Sequence, residues 1–149
     1  GFPLKQRAIE IARSLGHDSI DLGTCSTDPV DYPDFAQAIA REILAGRAQR
    51  GILLCGSGVG ACVAANKFRG IRAGTCHDTF SAHQCVEDDD ANVLCLGARV
   101  IGPEVAAEIV RTYLNAHFSG AERHERRLRK IAVFEQEFGS PLLDSGGRK

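Results

Sequence analysis

The chain has 149 residues, enough for one domain with a core of its own. Its 18 basic and 19 acidic residues leave a net charge of −1, which excludes a global electrostatic pull toward nucleic acid or an anionic membrane, so any anion site has to be local. No apolar run approaches the length of a membrane span, and no charged-then-apolar leader opens the sequence; the expectation is a cytoplasmic protein with neither a membrane nor a nucleic-acid partner.

In chain order, residues 2–15 carry apolar side chains at 4, 8, 11, 12 and 15, one helical face, with Gly16 as a stop. Residues 19–22 form a short strand candidate, and GTCSTDPVDYPD over 23–34 reads as a loop. Pro33 falls near a helix start, and the next helical face runs over 35–45 to Gly46. A strand over 51–55 leads into a glycine loop and a small-residue helix over 59–67. A strand over 71–76, a helix over 78–87, a strand over 92–96 and a helix over 103–118 follow. The last helix, over 119–137, is highly charged, and the tail 139–149 reads as a loose end or an arm that crosses a subunit interface. A single domain over 1–138 is expected.

Strands alternating with helices imply an α/β fold whose parallel sheet is covered on both faces. Ligands of such folds bind beyond the carboxyl ends of the strands. The loops after Cys55, Cys76 and Leu96 all lie there.

The six cysteines, at 25, 55, 62, 76, 85 and 95, form no C-x-x-C pair and lie mostly within apolar segments. That suits reduced thiols and argues against a disulfide framework or a zinc site. One of them stands apart. In LLCGSGVGAC, Cys55 ends a strand immediately before glycines that fit G-x-G-x-x-A. A dinucleotide fingerprint belongs in the first strand–helix unit and calls for a following acidic residue, which Asp78 matches only loosely; the chain would also lack a substrate domain. The thiol offers the other reading. At a helix N-terminus the dipole favours thiolate, and the N–H groups of Gly56, Ser57, Gly58 and Gly60 can converge on an oxyanion. A base beside an oxyanion hole is what proton abstraction next to a carbonyl requires. A buried cysteine before a tight turn is the plain alternative.

GILLCGSGVGACVAANKFRGIRAGTCHDTFSAHQ, DANVLCLGARVIGPEVAAEIV, GAERHERRLRKIAVFE and DLGTCSTDPVDYPDFAQAIA closely resemble the type B ribose-5-phosphate isomerases and the related galactose-6-phosphate isomerase subunits, over nearly the whole chain to about Glu137. The resemblance implies a three-layer α/β/α Rossmann-like parallel sheet of about five strands. It also implies a metal-free aldose–ketose isomerase of a phosphosugar, with no cofactor, working through a cis-enediol. The enzyme would be a homodimer with shared active sites, with further pairing into tetramers open. Cys55 matches the base; Ser57 with Gly56, Gly58 and Gly60 would stabilise the enediolate; Arg99, Arg123 and Arg127 match the phosphate-binding set; Asn66 matches the family pattern.

Arg123 and Arg127 are four residues apart and so share a helical face, where bidentate guanidinium groups can grip a phosphate. RHERRLRK equally suits a solvated face. Asn66 reads equally as a helix C-terminal residue, and His77 and Asp78 as ligand-side or as turn and N-cap residues.

The chain departs from the family in two places. Family members carry a first strand ending in Asp-His ahead of the position of Gly1; with no methionine anywhere and a start at Gly1-Phe2, the expectation is that N-terminal sequence is missing. That strand lies inside the family's sheet, so its loss leaves an unpaired gap. The second departure is Asp88-Asp89 where many relatives have His-Asn, credited with ring opening and with enediolate contact. Asp88 could serve as an acid–base group if its neighbours in EDDD raised its pKa; a solvated acidic turn is the alternative. Three readings follow: ribose 5-phosphate isomerisation, isomerisation of another phosphosugar (a tetrulose 4-phosphate, or galactose or allose 6-phosphate), and a non-catalytic phosphosugar-binding subunit.

Overall fold

The computed structural model describes residues 2–26 and 28–139. The chain divides into two compact units, Gly1–Ser119 and Gly120–Lys149, and most of the tail read from the sequence lies outside the described residues.

The first unit opens with α1 (Phe2–Ser14) and α2 (Tyr32–Leu44), the latter with Pro33 in its first turn. That proline has no N–H to lose and a φ suited to a helix start. Then β1 (Gly51–Cys55), α3 (Val59–Ala65), β2 (Ala73–Thr75), α4 (Thr79–Asp89), β3 (Val93–Gly97) and α5 (Pro103–Asn115) alternate. The strands form a parallel sheet in the order β1-β3-β2, with Cys55 in register with Gly97 and Thr75 with Cys95.

β3 is buried at all of its positions, as a central parallel strand of Val, Leu and Cys should be. Its side chains alternate between two cores. Leu94 and Leu96 pack with Ile52 and Leu54 beneath α1, α4 and α5, around Ile109, Val110 and Tyr113. Val93 and Cys95 pack with Leu53 beneath α2 and α3, around Ala36, Ala40, Ala61 and Ala65. Helices therefore cover both faces of the sheet, the three-layer arrangement expected. Arg50, just before β1, ties the layers together: its guanidinium donates to the carbonyls of Tyr113 and Ala116 at the end of α5 and lies 5.3 Å from the Tyr113 ring centroid. A cation at that end satisfies orphan carbonyls and complements the helix dipole.

Two of the strand expectations change. Residues 19–22 do not form a strand; a strand is defined by its neighbour's hydrogen bonds, and none of the described strands lies beside them. They are instead separated from the free edge of β1 by a groove of about 1030 Å3, lined from both sides by Ser19, Ile20, Leu22, Ile52 and Leu54. The buried Ser19 hydroxyl there has no partner among the described residues. The strand expected over 71–76 shortens to Ala73–Thr75 because Ile71 closes a turn onto Phe68 and the Arg72 N–H is taken by the Asn92 side chain.

The second unit carries α6 (Glu122–Phe138), which begins three residues later than the charge pattern suggests; Gly120, at φ +63°, sits ahead of it. Among the described residues, no helix is long and apolar enough to cross a membrane.

Candidate active site

Cys55 is the last residue of β1, and the chain turns into α3 through Gly56, Ser57 and Gly58. Gly58 adopts φ +82° as the N-cap of α3, a left-handed conformation that costs a glycine little and other residues about 1–2 kcal/mol. That turn aims the Gly58 N–H at the Cys55 sulfur, 3.0 Å away. The Val59 N–H reaches the Ser57 hydroxyl at 3.3 Å, so Ser57 satisfies one orphan donor of the helix while staying exposed.

The loop is seated on the end of β3. Ala98 donates to the Cys55 carbonyl at 2.8 Å and Arg99 to the Gly56 carbonyl at 3.0 Å. The contact is backbone on backbone, since a Cβ at Gly97 would stand 2.7 Å from the carbonyl carbon and oxygen of Ser57. Beneath lies Cys95, whose thiol burial pushes up and keeps neutral. The Arg99 side chain curls over Gly56, its Nε 3.7 Å from where a Cβ would be, and no carboxylate of the described residues pairs with its guanidinium. A sulfur, the Gly58 amide that points at it and a guanidinium therefore meet at the carboxyl end of the sheet. One end of the groove reaches them at Cys55, Gly56 and Arg99.

Sequence reasoning passed over one neighbour. Tyr32, read as part of a loop, sits with its ring 2.9 Å from a Cβ position on Gly60, so Gly60 is small because an aromatic ring leans on it. A lone exposed tyrosine before a helix carries no local sign of that. His77, read from the sequence as a ligand-side or a turn residue, accepts from the Gly97 amide through Nε2 at 3.0 Å.

Other expected site residues are held elsewhere. Asn66 follows α3, about 10 Å down that helix from the loop; its side chain donates to the Ala73 carbonyl at 2.9 Å and accepts from the Ala73 N–H at 2.8 Å. Both ends of its amide thus bind the start of β2. Asp88 and Asp89 end α4, which leaves the carboxyl end of the sheet and returns to the amino end, about 16 Å away for 11 residues. There the Asp89 carbonyl accepts from Arg72 at 3.0 Å, and the neighbouring Asp90 pairs with Arg72 at 2.7 Å. A helix joining parallel strands has to run back this way, so one chain does not bring Asp88 or Asp89 to its own Cys55. Arg123 and Arg127 belong to the second unit, exposed and one turn apart on α6. All six cysteines are free, with Cys25 exposed.

The model of the Ribose/Galactose Isomerase family matches residues 1–131. Ribose-5-phosphate isomerase B of Escherichia coli (strain K12) is 42% identical over 136 residues, 91% of this chain and 91% of its own length. D-erythrulose-4-phosphate isomerase of Pectobacterium atrosepticum is 49% identical over 106 residues, 71% of this chain and 69% of that protein. Among solved structures, ribose-5-phosphate isomerase B of Clostridium thermocellum matches with a TM-score of 0.89 and 41% identity, covering 93% of each chain.

Proposed function

Because the chain belongs to the ribose/galactose isomerase family and is a sugar-phosphate isomerase, we propose that it interconverts ribose 5-phosphate and ribulose 5-phosphate, with Cys55 as the base. The observation that carries this is the Gly58 amide donating to the Cys55 sulfur inside a loop of further amides. A thiolate there can take the proton from C2 of the open-chain aldose as the electron pair moves into a C1–C2 double bond. Negative charge collects on the carbonyl oxygen, where the N–H groups of Gly56 to Gly60 and the Ser57 hydroxyl supply donors. The O2 proton passes to O1, and Cys55 returns its proton to C1 to give the ketose. The electrons are rearranged within the sugar, so no redox cofactor is called for.

Arg99, Arg123 and Arg127 each offer a guanidinium suited to binding the phosphate. The position of Asp88 and Asp89 at the far end of α4 supports a homodimer with shared sites, in which these aspartates serve the Cys55 of the other copy. Free thiols suit a reducing cytoplasm.

A second reading is favoured by Asp88 itself. A tetrulose 4-phosphate cannot close the usual ring and needs no ring-opening histidine, and the Pectobacterium relative is named for D-erythrulose 4-phosphate. A coupled assay of the chain over four-, five- and six-carbon phosphosugars decides between them. The highest kcat/KM on ribose 5-phosphate is expected; a preference for the four-carbon sugar would replace that reading with the second.

A further inference from the structure

We propose that His77 is a positioning residue for the Cys55 loop: its imidazole holds the end of β3, on which the Ser57–Gly58 backbone rests. The proposal builds on the reading of that loop as the reacting centre.

The argument starts from where the ladder between β2 and β3 gives out. Cys76 still donates to the Cys95 carbonyl at 3.3 Å. In a continuing parallel ladder the next bond would run from the Gly97 N–H to the Cys76 carbonyl. Instead the chain turns off toward the N-cap of α4, and the Gly97 N–H donates to Nε2 of His77 at 3.0 Å. Gly97 is buried, so water does not stand ready to replace that acceptor, and an orphaned amide there is costly. A ring nitrogen that accepts carries no proton; the neutral imidazole therefore holds its proton on Nδ1.

Gly97 is also the platform of the loop. It is in register with Cys55, and a Cβ on it would stand 2.7 Å from the Ser57 carbonyl. From the other side, the Cβ position of Gly58 is 3.3 Å from the Gly97 nitrogen, the atom whose proton His77 accepts. Gly58 in turn donates to the Cys55 sulfur at 3.0 Å. The sequence of contacts is thus His77 ring, Gly97 amide, Gly58 backbone, Cys55 sulfur, with no flexible side chain between the ring and the loop to absorb a displacement. A shift at Gly97 passes to the amide that orients the base. Misplacement of reacting groups by about 1 Å can cost on the order of a hundredfold in rate without weakening ground-state binding.

The test compares the wild-type chain with His77→Leu, which removes the acceptor, and His77→Gln, which places a carbonyl oxygen at nearly the reach of Nε2. Amide exchange at Gly97 and Gly58 is followed by NMR, alongside kcat and KM for the phosphosugar turned over. His77→Leu is expected to speed exchange at both amides roughly tenfold or more and to lower kcat about 10- to 100-fold with KM within about twofold; His77→Gln is expected to recover both. Unchanged exchange at Gly58 in His77→Leu, a rise in KM at constant kcat, or a His77→Gln variant as impaired as His77→Leu would overturn the proposal. So would an Nε2–H tautomer in the 15N spectrum of the wild-type ring, which needs no variant to fold. Absence of turnover on every phosphosugar would sink the proposed function, while exchange at Gly58 would still decide whether His77 positions the loop.

Discussion

The Gly58 amide donates to the Cys55 sulfur at 3.0 Å because Gly58 is held at φ +82°. With φ in the ordinary helical range this N–H would take another direction relative to α3 and the strand end. One backbone angle thus couples the start of a helix to the orientation of a thiol.

Cys55→Ala should therefore abolish isomerisation, and Cys55→Ser should lower kcat by about 10²- to 10⁴-fold, the range for loss of a general acid–base group, with little change in unfolding midpoint. Steady-state kinetics beside a denaturant titration check this. Full turnover in Cys55→Ala on every phosphosugar tried would remove Cys55 as the base.

Gly58→Ala probes the angle itself. A Cβ there would lie 3.1 Å from Thr75 Cγ2 and 3.2 Å from the Leu96 carbonyl carbon, and the left-handed conformation alone costs about 1–2 kcal/mol. Expected are a stability loss of that order in urea and a kcat at least about tenfold lower. Wild-type kinetics in a folded variant would show that the turn tolerates another conformation.

Asn66→Ala should behave differently. Its amide spans the Ala73 N–H and carbonyl at an exposed position, so about 1 kcal/mol of stability is at stake and KM should stay unchanged. A severalfold rise in KM with no change in urea midpoint would return Asn66 to the substrate.

Asp78 caps α4, its carboxylate accepting from the Ser81 N–H at 2.7 Å and the Ser81 hydroxyl at 2.8 Å. These bonds hold its pKa below the ordinary aspartate value. A carboxylate with a depressed folded-state pKa contributes stability above its unfolded pKa and loses it as pH falls through the folded one. Asp78→Ala should accordingly lower the thermal midpoint at neutral pH, with the gap to wild type closing below about pH 4. A gap independent of pH would assign the effect to something other than the charged cap.

Shared sites are tested by mixing two inactive variants. If Cys55→Ala and Asp88→Ala each lose activity, dimers that exchange subunits carry one site with both defects and one intact. Activity should then return to roughly a quarter of wild type for equal mixing. No recovery after verified exchange would place Asp88 outside the site of the partner copy.

What the sequence alone determined is what depends on neighbours along the chain. The apolar runs at 51–55 and 92–96 and the helical faces between them specify covered parallel strands, because periodicity reports burial directly. Cys55 with its glycines was legible for the same reason: the sulfur, the turn and the helix start lie within five residues. Strand formation at 19–22 was not, since a strand exists only with a partner at its side. Only the tertiary structure decided which candidates meet. Asp88 and Asp89 sit at the end of a helix that has to run back across the sheet, and Asn66 sits at the far end of α3, so matching motif positions do not by themselves say which side chains lie together within one chain. Tyr32 on Gly60 and His77 on Gly97 come from segments far apart in sequence. Their contacts arise from the stacking of layers, and nothing in local propensity encodes which loop an imidazole or a phenol ring will reach.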